Sequence, residues 1–280
     1  MTVALRSEFL LADFVARLQA SGITVRPLPE GDGAALRLLL AGETEIVLTS
    51  PFDFAAATGA VDLALVPNIG VTLERSPGLL LLAFNGGLGA INTIALKPGT
   101  QSEATAAGIL LAEKYELRPA QAACSPNATP AAMLGAADCA LLVGDDALAL
   151  APNFTRTVEL ADEWLDTTES PLPYLVAWGR VGGVDENDIN LLRALWREGM
   201  EGITGRAAAP DAPPRAMQLA EALLRGEIST ALDANAIAAL EAYFRLPFYH
   251  GLTAEIPTIK FLPDGEIPAP GIEAPASTHS

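Results

Sequence analysis

The chain has 280 residues, half of them hydrophobic, with 17 Lys and Arg against 34 Asp and Glu and a formal charge of −17. That length builds ample core for one large domain or two small ones. The negative balance leaves no basic stripe for nucleic acid or for an anionic membrane surface, so neither is expected as a partner.

The N-terminus, Met1–Phe14, lacks a basic n-region and carries acidic residues inside its apolar part, which predicts a protein that stays in the cytoplasm. Thr2–Leu5 reads as a strand, and apolar residues at 9, 10, 14, 15 and 18 predict a helix over 9–19. Ile23–Leu28 is a second strand, and Asp32-Gly33 opens a leucine-rich helix over 34–41. Then come a strand at 46–48, a helix after Pro51, a strand at 63–66 and an apolar strand at 79–84. The run 78–84 is far shorter than the ~20 residues a membrane span needs. This alternation predicts a mainly parallel sheet with helices on its faces.

Asn85-Gly86-Gly87-Leu88-Gly89 interrupts the pattern and is expected to carry the chain into a second lobe. There the order restarts: strand 93–96, helix 102–115, strand 120–123, helix 129–134, strand 139–143, strand 157–160 and helix 161–166. A strand at 175–178 is expected to bring the chain back, followed by helices over 186–201, 213–225 and 234–244. The predicted lobes are 1–87 with 179–262, and 88–178. The tail 263–280, with Pro263, Pro268, Pro270 and Pro275, is expected to be extended or disordered.

One phrase occurs twice. Gly42–Ala55 runs glycine, acid (Glu45), apolar strand, then Thr49-Ser50-Pro51 opening a helix; Gly135–Leu150 runs glycine, acid (Asp138), apolar strand, then Gly144-Asp145-Asp146 opening a short helix. Two such phrases imply two similar lobes, each presenting a strand end and a helix N-terminus to a shared space. Ser50 is a natural N-cap with Pro51 at the first helical position. Thr100 and Ser102 stand where a loop meets a strong helix, so these sites either cap their helices or face an anion. Arg6 and Arg75, near strand ends, either hold a carboxylate bidentately or make surface ion pairs. Asp145 and Asp146 either act in proton transfer or hold a turn. With two cysteines outside any CxxC spacing and two histidines, His250 and His279, no zinc cluster, disulfide framework or Ser/His/Asp set can be assembled. No metal or other cofactor is expected.

The order of motifs resembles the chorismate dehydratase family of the futalosine route to menaquinone, enzymes with the two-lobed type II periplasmic-binding-protein fold. The matching pieces are Ser50-Pro51-Phe52-Asp53-Phe54, the block 95–115, Leu142–Leu148, and Leu160–Trp164 followed by Thr168, Pro171 and an apolar run to Trp178. The family's aromatic-Leu-Asn signature stands here as Phe9-Leu10-Leu11. Its Ser/Arg/Thr/Ser loop stands as Thr100-Gln101-Ser102-Glu103, and its Thr-Gly-Leu-Pro-Phe run as Thr168-Glu169-Ser170-Pro171-Leu172. The resemblance implies a cleft in which Thr72 and Ser102 are catalytic, and Ser50, Pro51, Thr100, Gln101, Asp145, Pro171, Tyr174 and Arg6 bind substrate. It implies loss of water from chorismate, an elimination that needs two carboxylates held, water excluded and a hydroxyl oriented. Lobe closure at 85–89 and 177–179 is expected to seal the site. The altered loop better suits the alternative, a non-catalytic protein that closes on a small carboxylate. Either is compatible with a homodimer.

Overall fold

A computed structural model describes residues 1–31, 33–75, 77–86, 91–150 and 156–266. Asp32, most of the glycine tract and the tail beyond 266 lie outside the described residues.

The first lobe begins with β1 (Thr2–Leu5), a 3-10 turn at Phe9–Leu11, α1 (Ala12–Ala20), β2 (Thr24–Pro27), α2 (Ala34–Leu40), β3 (Ile46–Thr49), α3 (Pro51–Ala57) and β4 (Leu63–Leu73). The second lobe holds β5 (Leu80–Phe84), β6 (Thr93–Leu96), α4 (Gln101–Tyr115), β7 (Ala120–Ala123), α5 (Pro130–Ala136), β8 (Cys139–Val143), α6 (Asp145–Leu148), β9 (Thr157–Glu159) and α7 (Leu160–Thr168). The chain returns through β10 (Leu172–Arg180), α8 (Glu186–Ala207), α9 (Pro214–Leu224), β11 (Ile228–Ser229) and α10 (Ala234–Tyr249). Among the described residues, no helix is long and apolar enough to cross a membrane.

Two sheets result, ordered β11-β4-β10-β3-β1-β2 and β7-β6-β8-β5-β9. They are mixed rather than mainly parallel. β1 pairs parallel with β2 and β3, and β6 parallel with β7 and β8, but β10, β11 and β5 run antiparallel to their neighbours. Periodicity identifies a buried strand but not its direction, which hairpin and return connections set here. The crossings also differ from expectation. β5 pairs with β8 and β9 in the second sheet, and β10 lies between β3 and β4 in the first. The chain therefore changes lobes within 74–79 and 169–171, not at 85–89 and 177–179. Of the expected tail, the described residues 263–266 turn back onto the strand-like segment 260–262 that precedes them. Leu65 N donates to the Lys260 carbonyl at 2.8 Å, Leu262 N to the Leu65 carbonyl at 2.9 Å, and Phe261 N to the Glu266 carbonyl at 2.8 Å.

The repeated phrase has a structural counterpart. Glu45 accepts from the first amide of the neighbouring parallel strand, Thr2 N, at 2.5 Å; Asp138 accepts from Thr93 N at 2.9 Å and from the Thr93 hydroxyl at 2.9 Å. In each lobe an acid ahead of the inner strand satisfies a donor that the ladder leaves open. At the centre, the Trp178 indole N–H donates to the buried Thr49 hydroxyl at 2.8 Å, and Phe54 packs edge-on to Trp178. Gly199 lets α8 cross close to α1: a Cβ there would stand 2.7 Å from the Phe14 Cα.

At the outgoing crossing, the Glu159 carboxylate accepts from Gly78 N at 3.1 Å while its other oxygen is buried with no hydrogen-bond partner among the described residues. Burial, with Asp162 and Glu227 nearby, pushes its pKa up to about 8, although the amides of Gly78 and Leu80 oppose the rise. The folded chain thus keeps a proton that the unfolded chain releases near the ordinary carboxylate value. Stability should fall as pH rises from about 5 to 8, with a slope of at most about 1.4 kcal/mol per pH unit from this group. Urea unfolding across that window should show the fall, and Glu159→Gln should flatten it.

Candidate functional site

The helix entries of the two lobes meet head to head. Ser50 caps α3: its hydroxyl accepts from Asp53 N at 3.3 Å and donates to Asp53 Oδ2 at 3.1 Å. From the other lobe, the Ser102 hydroxyl in the first turn of α4 donates to Asp53 Oδ1 at 3.1 Å. A carboxylate of the chain itself therefore takes the anion position between the two helix N-termini. Burial and the neighbouring Glu103 raise the Asp53 pKa above its ordinary value, against the two serine hydroxyls.

Beside it lies a buried charge cluster. Arg6, just past β1, contacts Glu8 at 2.8 Å and donates to Glu103 of α4; its guanidinium lies 5.5 Å from the centre of the Tyr174 ring. The Tyr174 hydroxyl bonds to both oxygens of Glu8 at 3.1 Å. The side chains of Arg6, Glu8 and Glu103 are only 16, 9 and 3 % exposed. Burial alone would lower the Arg6 pKa, but Glu103 and Glu8 hold it well above its ordinary value. Burial dominates at Glu8 and raises it in spite of Arg6. Burial and Glu8 likewise push the Tyr174 phenol up, so it stays a hydroxyl. Arg6 Nε and Nη2 and one Glu103 oxygen remain without a well-formed hydrogen bond.

An inter-lobe cleft of about 590 Å³ opens onto this cluster, lined by Arg6, Asp53, Lys97, Gln101, Ser102 and Gln121 among others. Lys97 is tied to Asp146 at 2.7 Å, and Gln101 donates to the Gln121 side chain at 3.2 Å. Just inside, Ser50, Pro51, Ser102 and Tyr174 line a crevice of about 10 Å³, too tight for a substrate.

Of the residues expected at the site, Arg6, Gln101 and Ser102 line the cleft, and Ser50, Pro51 and Tyr174 stand behind it. Four do not join them. The Thr100 hydroxyl turns back to the Lys97 carbonyl at 2.9 Å. Thr72 is buried in the sheet between Pro173 and Ser229. Asp145 caps no helix; it accepts from Phe9 N at 3.0 Å and lies 3.8 Å from Arg215, pinning α6 to the first lobe. Pro171 precedes β10 and lines neither space. Arg75 is exposed. Sequence reasoning passed over Glu8 and gave Asp53 no role at the site, since an isolated acid in a loop or first helical turn carries no signal until a cation or hydroxyl from the other lobe meets it.

The two-lobed architecture places the chain among proteins of the type II periplasmic-binding-protein fold. It is similar in structure to protein AF1704 of Archaeoglobus fulgidus (17% identity, TM-score 0.62, covering 90% of this chain and 97% of that one). It is also similar to the alkanesulfonate-binding protein SsuA from Xanthomonas axonopodis pv. citri bound to MOPS (17%, 0.60, 91% and 94%) and to the aliphatic sulphonate binding protein SsuA of Escherichia coli (15%, 0.56, 91% and 94%). No curated protein matches the sequence. The menaquinone biosynthesis family pattern matches residues 35–248, most of the chain, and the chain belongs to that family.

Replacing Arg6 with methionine would leave Glu8 and Glu103 buried without their cation, a change that typically costs about 3–5 kcal/mol. Chemical unfolding near neutral pH should show such a loss.

Proposed function

We propose that the chain acts within menaquinone biosynthesis as a chorismate dehydratase-like lyase, eliminating water from chorismate to leave 3-[(1-carboxyvinyl)oxy]benzoate. The observation that carries this reading is an inter-lobe cleft lined by Arg6 and Asp53, with Glu8 bonded to Arg6 behind it, two half-buried carboxyl groups whose pKa values burial raises beside one guanidinium. The reaction removes a ring proton and the neighbouring hydroxyl, and aromaticity of the product drives it. The work left for the protein is to bind, to exclude water and to move one proton out and one in.

Glu8, kept toward its neutral form by burial, is suited to protonate the departing hydroxyl so that it leaves as water; Tyr174 fixes its orientation. Asp53, held by Ser50 and Ser102, is suited to take the ring proton. Arg6 is the natural partner of a substrate carboxylate once Glu103 gives way, and Lys97 at the cleft wall serves a second one. In this reading Ser102 positions Asp53, and Thr72 has no part.

One observation favours a second reading, a small-molecule binding protein without chemistry. Arg6 is already matched by two carboxylates of the chain, and Glu103 stands where the family loop has serine. Incubating the protein with chorismate and following the aromatic product by chromatography and mass spectrometry separates the two: binding without product selects the second. If the lyase reading holds, Glu8→Gln should lower kcat by about 10²-fold or more, the usual contribution of a positioned proton donor. Glu103→Ser frees the guanidinium and should tighten chorismate binding about tenfold, close to 1.4 kcal/mol by calorimetry.

A further inference from the structure

On the first lobe, a second pocket of about 590 Å³ lies between α8 and the turn that follows β11, and shares no lining residue with the inter-lobe cleft. Its rim opens where β4 bulges. The pairing with β10 passes from Gly70–Val176 to Leu65–Trp178, so residues 66–69 face the single residue Ala177, and Asn68 takes a left-handed backbone with φ 61°. Asparagine is one of the few non-glycine residues that adopt this conformation readily, and it carries its amide to the pocket edge.

Arg193 and Arg197 stand one turn apart on α8 and both line the pocket. Among the described residues neither forms an ion pair. Among the same residues Arg193 reaches only the Asn190 side-chain oxygen, at 3.5 Å, and Arg197 makes no hydrogen bond. Their acidic neighbours are engaged elsewhere or unpaired with them: Glu198 binds Arg17, Glu186 accepts from Asn190, and Glu201 on the pocket wall forms no ion pair with either among the described residues. Like charges at this spacing disfavour a helix. In a chain with twice as many acids as bases, two adjacent guanidiniums left without a carboxylate are out of keeping with the rest of the surface. The floor is apolar, formed by Met200 and by Trp196, whose indole N–H is fixed on the Thr230 carbonyl at 2.7 Å.

We propose that this pocket is a second small-molecule site, for an organic carboxylate: the guanidiniums take the anionic head in paired hydrogen bonds, and Trp196 and Met200 face its apolar body. The volume suits a small ligand, and forked guanidiniums match the planar carboxylate group. The inference is independent of the chemistry assigned to the cleft.

The test is titration of the full chain with benzoate, followed by NMR on the Trp196 indole N–H, its signal assigned with Trp196→Phe. A saturable shift is expected, with the apparent Kd raised at least tenfold in an Arg193→Gln, Arg197→Gln double variant and unchanged in Glu103→Ser, which alters the cleft. Absence of a saturable shift at millimolar benzoate, or a shift that survives the double substitution, overturns the site. Inorganic phosphate is the comparison probe. Equal affinity for phosphate and benzoate overturns the assignment to an organic ligand, because the apolar floor would then contribute nothing.

Discussion

A guanidinium held between two lobes sets the terms for everything around it. Arg6 belongs to the first lobe, and of its two carboxylate partners Glu8 comes from the same lobe and Glu103 from the second. Out of water such a charge requires opposite charge beside it, so the lobes close where Glu103 can reach. A buried pair returns little net stability, because its Coulombic gain is offset by desolvation. The contact therefore fixes geometry more than it adds strength. The unbonded Arg6 nitrogens and Glu103 oxygen leave the pair incompletely satisfied.

The surrounding framework is built to hold that geometry. The Trp178–Thr49 bond ties β10 to β3, whose end feeds Ser50 and α3 into the cleft. Asp145 reaches across to Phe9, whose ring also lies between the guanidiniums of Arg206 and Arg215 at 4.3 and 4.2 Å. His250, just past the end of α10, contacts Glu113 of α4 at 2.9 Å, adding a tie between the lobes on another side. These contacts involve different elements, so the approach of α3 to α4 does not depend on a single pair.

The same fold holds binding proteins for sulfonates, so the fold alone decides nothing about chemistry. Acids surround the one guanidinium at the back of this cleft. Asp53, Glu8 and Glu103 outnumber Arg6, and the formal charge of −17 adds a repulsive field that salt screens beyond about 8 Å.

Much of the architecture was legible in the sequence because hydrophobic periodicity and turn residues act locally. The strands at 2–5, 93–96, 120–123 and 139–143, the Ser50 cap and the repeated glycine-acid-strand phrase all follow from nearest-neighbour chemistry, and the match of motif order identified the family. The strand at 80–84 was equally visible, but its lobe was not, since partner choice in a sheet depends on hydrogen bonds to β8 and β9 that no local pattern records. Asp145 shows the same limit: local rules make it a cap, while the structure gives its oxygen to Phe9 in the other lobe. Glu8 and Asp53 gained their places in the site only when Arg6, Tyr174 and Ser102 were brought to them across the fold. Desolvation, which sets how these acids hold their protons, is a property of what surrounds a group in three dimensions, and that was decided by tertiary structure alone.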